Sequence, residues 1–196
     1  MLPTEKIIHF LQQKVEVTTE EAAVFGEAFQ AKIFRKKQLA IQPTFTAKYR
    51  YYVVKGALRS FIMDHKGEEN TIALAIEDWW ITDYNSYIYQ QPATLFVEAI
   101  SNSTVLQLSY ENEQKLKAAN PKFETFFRII AERGLASQQR RLIANLTQSA
   151  EERYENFAKL YPQFVNEIPQ YIIASYLGMS TEFLSKILNH KLNCKS

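Results

Sequence analysis

Five polar side chains near the C-terminus share a spacing suited to reading the hydrogen-bonding edge of another molecule. Thr181, Glu182, Ser185, Lys186 and Asn189 fall on one face if the segment is helical. A carboxylate accepts, an ammonium donates, and hydroxyl and amide groups do both. The major groove of duplex DNA presents that mixture of donors and acceptors. Ser180 precedes the set, where its hydroxyl can cap the helix. His190 follows it.

Such a face needs a second helix to hold it. The stretch from Gln170 to Asn189 reads as a helix-turn-helix. Ala174 is the small residue where two helices come close, and Gly178, four residues later, suits a turn with positive φ. Ile173, Leu177, Met179, Leu184 and Ile187 have the spacing that closes a small core between crossing helices. An ordinary helical hairpin shares the gross pattern. The coincidence of small residue, glycine, cap and apolar spacing favours the groove-reading form.

The charge distribution supports this only weakly. The 196 residues carry a formal net charge of +2, which does not announce a polyanion binder. From Ala150 to Met179 there are two basic and four acidic residues; from Ser180 onward there are three basic (Lys186, Lys191, Lys195) and one acidic. The single cysteine, Cys194, excludes an intrachain disulfide framework and points to a reducing compartment. The first ten residues lack the apolar run of a signal peptide, and no stretch is long enough to span a bilayer. A cytoplasmic location is the expectation.

Upstream, two short helices are expected at 4–14 and 18–30, the second opened by a Thr18/Glu21 capping box and continuing with Ala22, Val24, Phe25 and Phe29. From Lys32 to Ser109 the texture becomes β. Runs at 49–54, 58–63, 71–76, 95–100 and 105–108 are rich in aromatic and β-branched residues and are separated by turn signals such as Lys55-Gly56. The expectation is a small antiparallel barrel or roll. The aromatic-dense stretch from Asp78 to Gln90 is compatible with strand, short helix or pocket wall.

Asn120-Pro121 starts a long helix, predicted to reach Thr147 with Gly134 inside it as a bend or a close helix contact. Its apolar stripe is wide near Phe123 and narrower at Leu135, Leu142, Ile143 and Leu146. A helix covering one β face of a monomer shares this pattern, but packing first on the β domain and then on a second copy suits it better, since groove readers bind paired half-sites. A further amphipathic helix over 150–161 points Tyr154, Phe157, Ala158 and Leu160 or Tyr161 inward and stops at Pro162. Catalysis finds no footing. His9, His65 and His190 are scattered, and no metal-ligand spacing, P-loop or dinucleotide fingerprint is present. The protein is not expected to be an enzyme.

Three stretches together resemble the Crp/Fnr family of transcription regulators: YYVVKGALRSFIMDHKGEENTIALAI (51–76), SAEERYENF (149–157) and IPQYIIASYLGMSTEFLSKI (168–187). The resemblance implies an α+β chain. A jelly-roll-like antiparallel β-roll of the cyclic-nucleotide-binding type occupies 1–119 with its lead-in helices, and a long dimerisation helix occupies 120–147. An all-α, winged-helix-like helix-turn-helix domain occupies 148–196, with no room for the wing after His190. It further implies a homodimer on double-stranded DNA, with Thr181, Glu182 and Lys186 on base edges, and contact with RNA polymerase if the protein activates. Thr181 and Lys186 stand where the family commonly has arginine, so the bidentate guanine contact is missing and a changed or looser target is expected.

The effector site departs further. Nucleotide-binding members carry a G-E pair and an R-S or R-T pair around the phosphate; here Thr82-Asp83 and Ala93-Thr94 stand in those places. Losing the arginine removes the main charge-assisted contact, and Asp83 would repel a phosphate. Cyclic AMP by the usual mode is therefore not expected, and no cofactor is identified. Trp79, Trp80 and Tyr84, with Tyr87 and Tyr89, either line a pocket for a flat or hydrophobic ligand or fill a core. The rival to a DNA-binding regulator is a degenerate ligand-binding or protein-interaction module whose helix-turn-helix no longer reads DNA. The weak basic charge and the missing wing favour that rival.

Overall fold

The computed structural model describes residues 2–193. Cys194 and Lys195 lie outside the described residues, as does the side chain of Lys191. The elements in order are α1 (Pro3–Gln12), α2 (Thr19–Glu27), β1 (Gln30–Phe34), β2 (Leu39–Ile41), β3 (Tyr49–Lys55), β4 (Leu58–Met63), β5 (Glu69–Ala75), β6 (Trp80–Ile81), α3 (Tyr84–Tyr89), β7 (Phe96–Ala99), β8 (Ser103–Ser109), α4 (Tyr110–Ala119), α5 (Pro121–Thr147), α6 (Ala150–Leu160), α7 (Pro162–Glu167), α8 (Gln170–Tyr176) and α9 (Thr181–Asn193). They form two compact units, one of 1–62 with 72–134 and one of 63–71 with 135–196.

In the first unit two four-stranded antiparallel sheets, ordered β1-β8-β3-β6 and β2-β7-β4-β5, enclose a core. Strand alternation decides which residues enter it. Tyr51 and Val53 of β3 and Val105 of β8 point inward to meet Leu58, Ala75, Val97 and Ala99 of the other sheet. Tyr52, paired with Leu106, points outward with Leu108 onto Ile7, Leu11, Phe25, Phe123 and Phe126 of the helices. Strands β3 and β8 are thus buried on both faces, which explains why they read as near-continuous apolar runs. Gly56 closes the β3–β4 turn at φ +91°, where a Cβ would come within 2.5 Å of Ser103 Oγ.

The Thr18/Glu21 capping box is formed. Glu21 also binds Lys122 Nζ at 2.8 Å and Asn120 Nδ2 at 2.9 Å, tying α2 to the start of α5. Hydrogen bonds from Lys122, the Thr18 N–H and Asn120 bring its carboxyl down to about 2. The helix ends at Glu27, short of the expected Gln30, and Val24 is exposed. The segment 78–90 resolves into strand then helix: Trp80 and Ile81 pair with β3, and Asp83 caps α3. Elements β1, β2, α4 and α7 add to those the sequence picked out.

In α5, Asn120 Oδ1 accepts from the Lys122 N–H at 2.9 Å, as its cap role requires, and the helix runs 27 residues through Gly134. A Cβ at Gly134 would meet nothing, so no close helix contact within the chain explains that glycine. Phe123, Phe126, Phe127 and Ile130 are buried, whereas Leu135, Leu142, Ile143 and Leu146 are 53–77% exposed. In the second unit Tyr154 and Phe157 of α6 are buried, Tyr161 is half-buried and Leu160 faces solvent. Pro162 ends α6 and begins α7. The Ser175 hydroxyl of α8 donates to the Glu69 carbonyl and accepts from the Thr71 N–H at 2.8 Å.

Candidate functional site

The turn between α8 and α9 is built from local bonds. The Met179 N–H donates to the Ala174 carbonyl (3.0 Å) and the Gly178 N–H to the Ser175 carbonyl (3.1 Å). This is the Schellman pattern that closes a helix through a left-handed residue. Gly178 supplies that residue at φ +67°. Ala174 is 1% exposed, and Ile172, Ile173, Leu177, Leu184 and Ile187 are buried around it, while Met179 is half-buried. Ser180 Oγ then accepts from the Phe183 N–H at 3.2 Å, capping α9.

Arg153 of α6 holds this turn from outside. Its Nε donates to the Leu177 carbonyl at 2.9 Å, Nη1 to the Gln148 carbonyl at 2.7 Å and Nη2 to the Gly178 carbonyl at 3.4 Å. One guanidinium therefore satisfies carbonyls at the end of α5 and in the turn. Nothing in its local sequence singled it out as a clamp.

With its apolar side buried, α9 presents Thr181, Glu182, Lys186, Asn189 and His190 to solvent, with Ser185 half-buried. The structure therefore brings the sequence-picked residues onto one accessible helix face. Phe183, which was not among them, is 47% exposed and adds an apolar body. The N–H of Glu182 itself and the Ser180 hydroxyl hold the Glu182 carboxyl below its ordinary range. Ionised at neutral pH, it can accept hydrogen bonds but not donate them.

The second candidate set is divided between two layers. Trp79 packs on the core between the sheets. Trp80 faces the helices, where the Arg50 guanidinium lies 4.6 Å from its ring centre, and its Nε1 is buried without a hydrogen-bond partner. Thr82 is buried and donates to the Tyr49 carbonyl at 2.9 Å. Tyr84 is 42% exposed and accepts a long bond from Arg50 (3.4 Å). Ala93 is buried in the intersheet core and Thr94 is exposed.

Asp83 is 1% exposed and fully engaged. Oδ1 accepts from the Ser86 N–H (3.0 Å), and Oδ2 accepts from the N–H groups of Thr94 (2.8 Å) and Leu95 (3.0 Å). Backbone amides converging on one carboxylate form an anion nest. Here the nest is filled from within the chain.

Behind it sits a buried ionic network. Arg50 Nη1 and Glu113 Oε2 are 3.0 Å apart, Lys117 reaches Glu113 Oε1 at 2.9 Å, and the Tyr87 hydroxyl donates to Glu113 at 2.9 Å. Burial pushes the Glu113 carboxyl up, but Arg50 and Lys117 outweigh it and hold the group below its ordinary range. A cavity of about 490 Å³ opens elsewhere on the same unit, beside Lys32, Phe45, Lys48 and Tyr49; none of the candidate residues lines it.

Among the described residues no group of three or more His, Cys, Asp or Glu side chains could hold a metal ion, and no helix is long and apolar enough to cross a membrane.

Two packed antiparallel sheets with flanking helices, a long helix and a terminal helix-turn-helix define the Crp/Fnr-like, cyclic-nucleotide-binding fold with a C-terminal helical domain. Solved structures agree. FixK2 from Bradyrhizobium japonicum superposes with a TM-score of 0.73 at 18% identity, covering 85% of this chain and 86% of that one. A variant of CooA from Carboxydothermus hydrogenoformans gives 0.63 at 19% identity, covering 86% and 78%. A protein from Eubacterium rectale described as a candidate regulator of the Crp/Fnr family gives 0.67 at 14% identity, covering 89% and 83%. No family model and no curated protein matches the sequence.

Proposed function

We propose that the protein is a sequence-specific DNA-binding transcription regulator that acts as a homodimer and is not an enzyme. The observation carrying this is α9: a capped helix, buried on one side, that offers Thr181, Glu182, Ser185, Lys186 and Asn189 on the other. Entering a major groove, Lys186 pairs with guanine and Glu182 with cytosine N4–H2, while Phe183 can pack on a thymine methyl. The exposed leucines of α5 supply the dimer seam, which sets two such helices on half-sites about one helical turn apart. Asp83 fills the loop amides at 94 and 95, so the sheet domain takes no cyclic-nucleotide phosphate there. Either DNA binding is constitutive or an effector acts at another place.

The experiment is selection of a site from random duplex DNA, followed by Lys186→Ala. The expected loss is about 1–3 kcal/mol on the selected site and little on unrelated DNA. Equal binding by variant and parent removes the base contact. The weak basic charge and the ionised Glu182 on α9 favour one other reading, an interaction module that no longer reads DNA. A salt titration with negligible slope would select that reading, because phosphate contacts release counterions.

A further inference from the structure

Within the second unit, a cleft of about 390 Å³ runs between the C-terminal half of α5, α6 and the end of α8. That volume is at the lower end of the roughly 300–1,000 Å³ typical of small-molecule sites. Its walls are mostly apolar, with Ile143, Phe157, Leu160, Tyr161, Tyr176 and Leu177 prominent. Every ionisable side chain of full charge on its wall is a cation: Arg140, Arg141, Arg153 and Lys159.

Two of those cations are already used. Arg153 is bound to backbone carbonyls, and Arg141 lies 4.7 Å from the centre of the Tyr176 ring and bonds Gln138. Arg140 and Lys159 are exposed and make no ion pair or hydrogen bond among the described residues. An apolar trough edged by two uncommitted cations, with no carboxylate on its wall, is complementary to a ligand with a greasy body and one negative head.

The cleft opens mostly on the side of α5 away from the exposed leucines, sharing only Ile143 with the apolar stripe. At about 100° per residue, Leu135, Leu142 and Leu146 fall within roughly 20° of one line on α5. Ser137, Arg140, Ala144 and Gln148 fall roughly 140–220° away from it, and all four line the cleft. A second copy seated on the leucines leaves this side of α5 open.

We propose that the cleft binds an amphipathic anion, a carboxylate carrying a medium-length aliphatic tail. The tail lies on Phe157, Leu160 and Tyr176, and the head sits between Arg140 and Lys159. Leu177, the residue before Gly178, belongs to the same wall, so an occupant touches the turn that orients α9.

The test uses the full chain and three C10 probes below their micellar concentrations: decanoate, decanol and decyltrimethylammonium, titrated by calorimetry. Decanoate should bind saturably, one per chain, and at least about tenfold tighter than either of the others, the difference one charge-assisted contact implies. The double variant Arg140→Gln/Lys159→Gln should lose that preference. Both positions are exposed and without partners among the described residues, so its melting curve should match the parent's and exclude misfolding as the cause. Absence of decanoate binding, equal binding of the three probes, or unchanged affinity in the variant overturns the proposal. So does one decanoate per dimer with dissociation of the dimer. No DNA is present in these titrations, so their failure leaves the proposed DNA-binding role untouched.

Discussion

Replacing Arg153 with alanine should loosen the helix-turn-helix without touching the sheet domain. Two of its three bonds are short, 2.9 Å to the Leu177 carbonyl and 2.7 Å to the Gln148 carbonyl. The third, 3.4 Å to the exposed Gly178, adds little. Hydrogen bonds to a charged group contribute about 1.5–3 kcal/mol each. Arg153 is half-buried, so water recovers part of both, and about 2 kcal/mol in total is the reasoned loss. In a unit of roughly 70 residues that lowers Tm by about 8–16 °C. The chain itself separates the signals. Trp79 and Trp80 both belong to the first unit, so tryptophan fluorescence follows the sheets while far-UV circular dichroism also follows α6 to α9. The dichroism transition should fall and the fluorescence transition should stay. Arg153→Lys, keeping the charge but reaching fewer carbonyls, should lie between. A dichroism transition within about 2 °C of the parent, well under the shift expected for 1 kcal/mol, would refute the clamp.

Glu113→Ala should cost about 3–5 kcal/mol, because Arg50 is left buried and unpaired; a urea midpoint close to the parent's would contradict this. The Glu113 carboxyl is held below its unfolded value. Its contribution is therefore complete above about pH 4.3 and is lost as the pH falls from there through its folded value. Glu113→Gln should flatten that acid limb in urea titrations, and an unchanged slope would assign acid sensitivity elsewhere. Asp83→Ala strips the acceptor from the N–H groups of Ser86, Thr94 and Leu95 and should cost about 2–3 kcal/mol. Tryptophan fluorescence in urea reads it, and a loss no larger than that of an exposed substitution would refute the nest. Leu142→Glu, at a position 60% exposed in the single chain, should leave folding intact and yield monomers in light scattering. A persisting dimer would move the seam off α5.

How far the sequence speaks depends on how local the cause is. The turn at Gly178 was legible because its glycine, its cap at Ser180 and its small Ala174 lie within seven positions of one another. The paired runs of β3 and β8 were legible because both of their faces are buried. Strand β1 was not: it is exposed along Gln30 to Ile33, so no alternation marks it. Helix α4 hid for the opposite reason, being mostly polar with only Glu113 and Leu116 buried.

The effector region was misleading in a particular way. Asp83 read as a charge facing a pocket, but besides its local cap on Ser86 two of its partners lie 11 and 12 residues away in sequence, and only the fold brings those to it. Trp80 stayed open between pocket wall and filled core in the sequence, and pairing with Tyr52 turns it to the helices. The apolar stripe of α5 could be read, and its second half is uncovered within the single chain.

The carboxylate of Asp83 has one more consequence, in the arithmetic of competition. A tethered group meets its site at an effective concentration that does not change with the contents of the cell, and even flexible tethers give values of about millimolar. A folded, buried tether stands above that. Any dissolved anion seeking those amides must displace a rival that is never diluted and never diffuses away. On the proposed function the loop is expected to stay deaf to ordinary swings in metabolite level, holding one state where an open nest would report two.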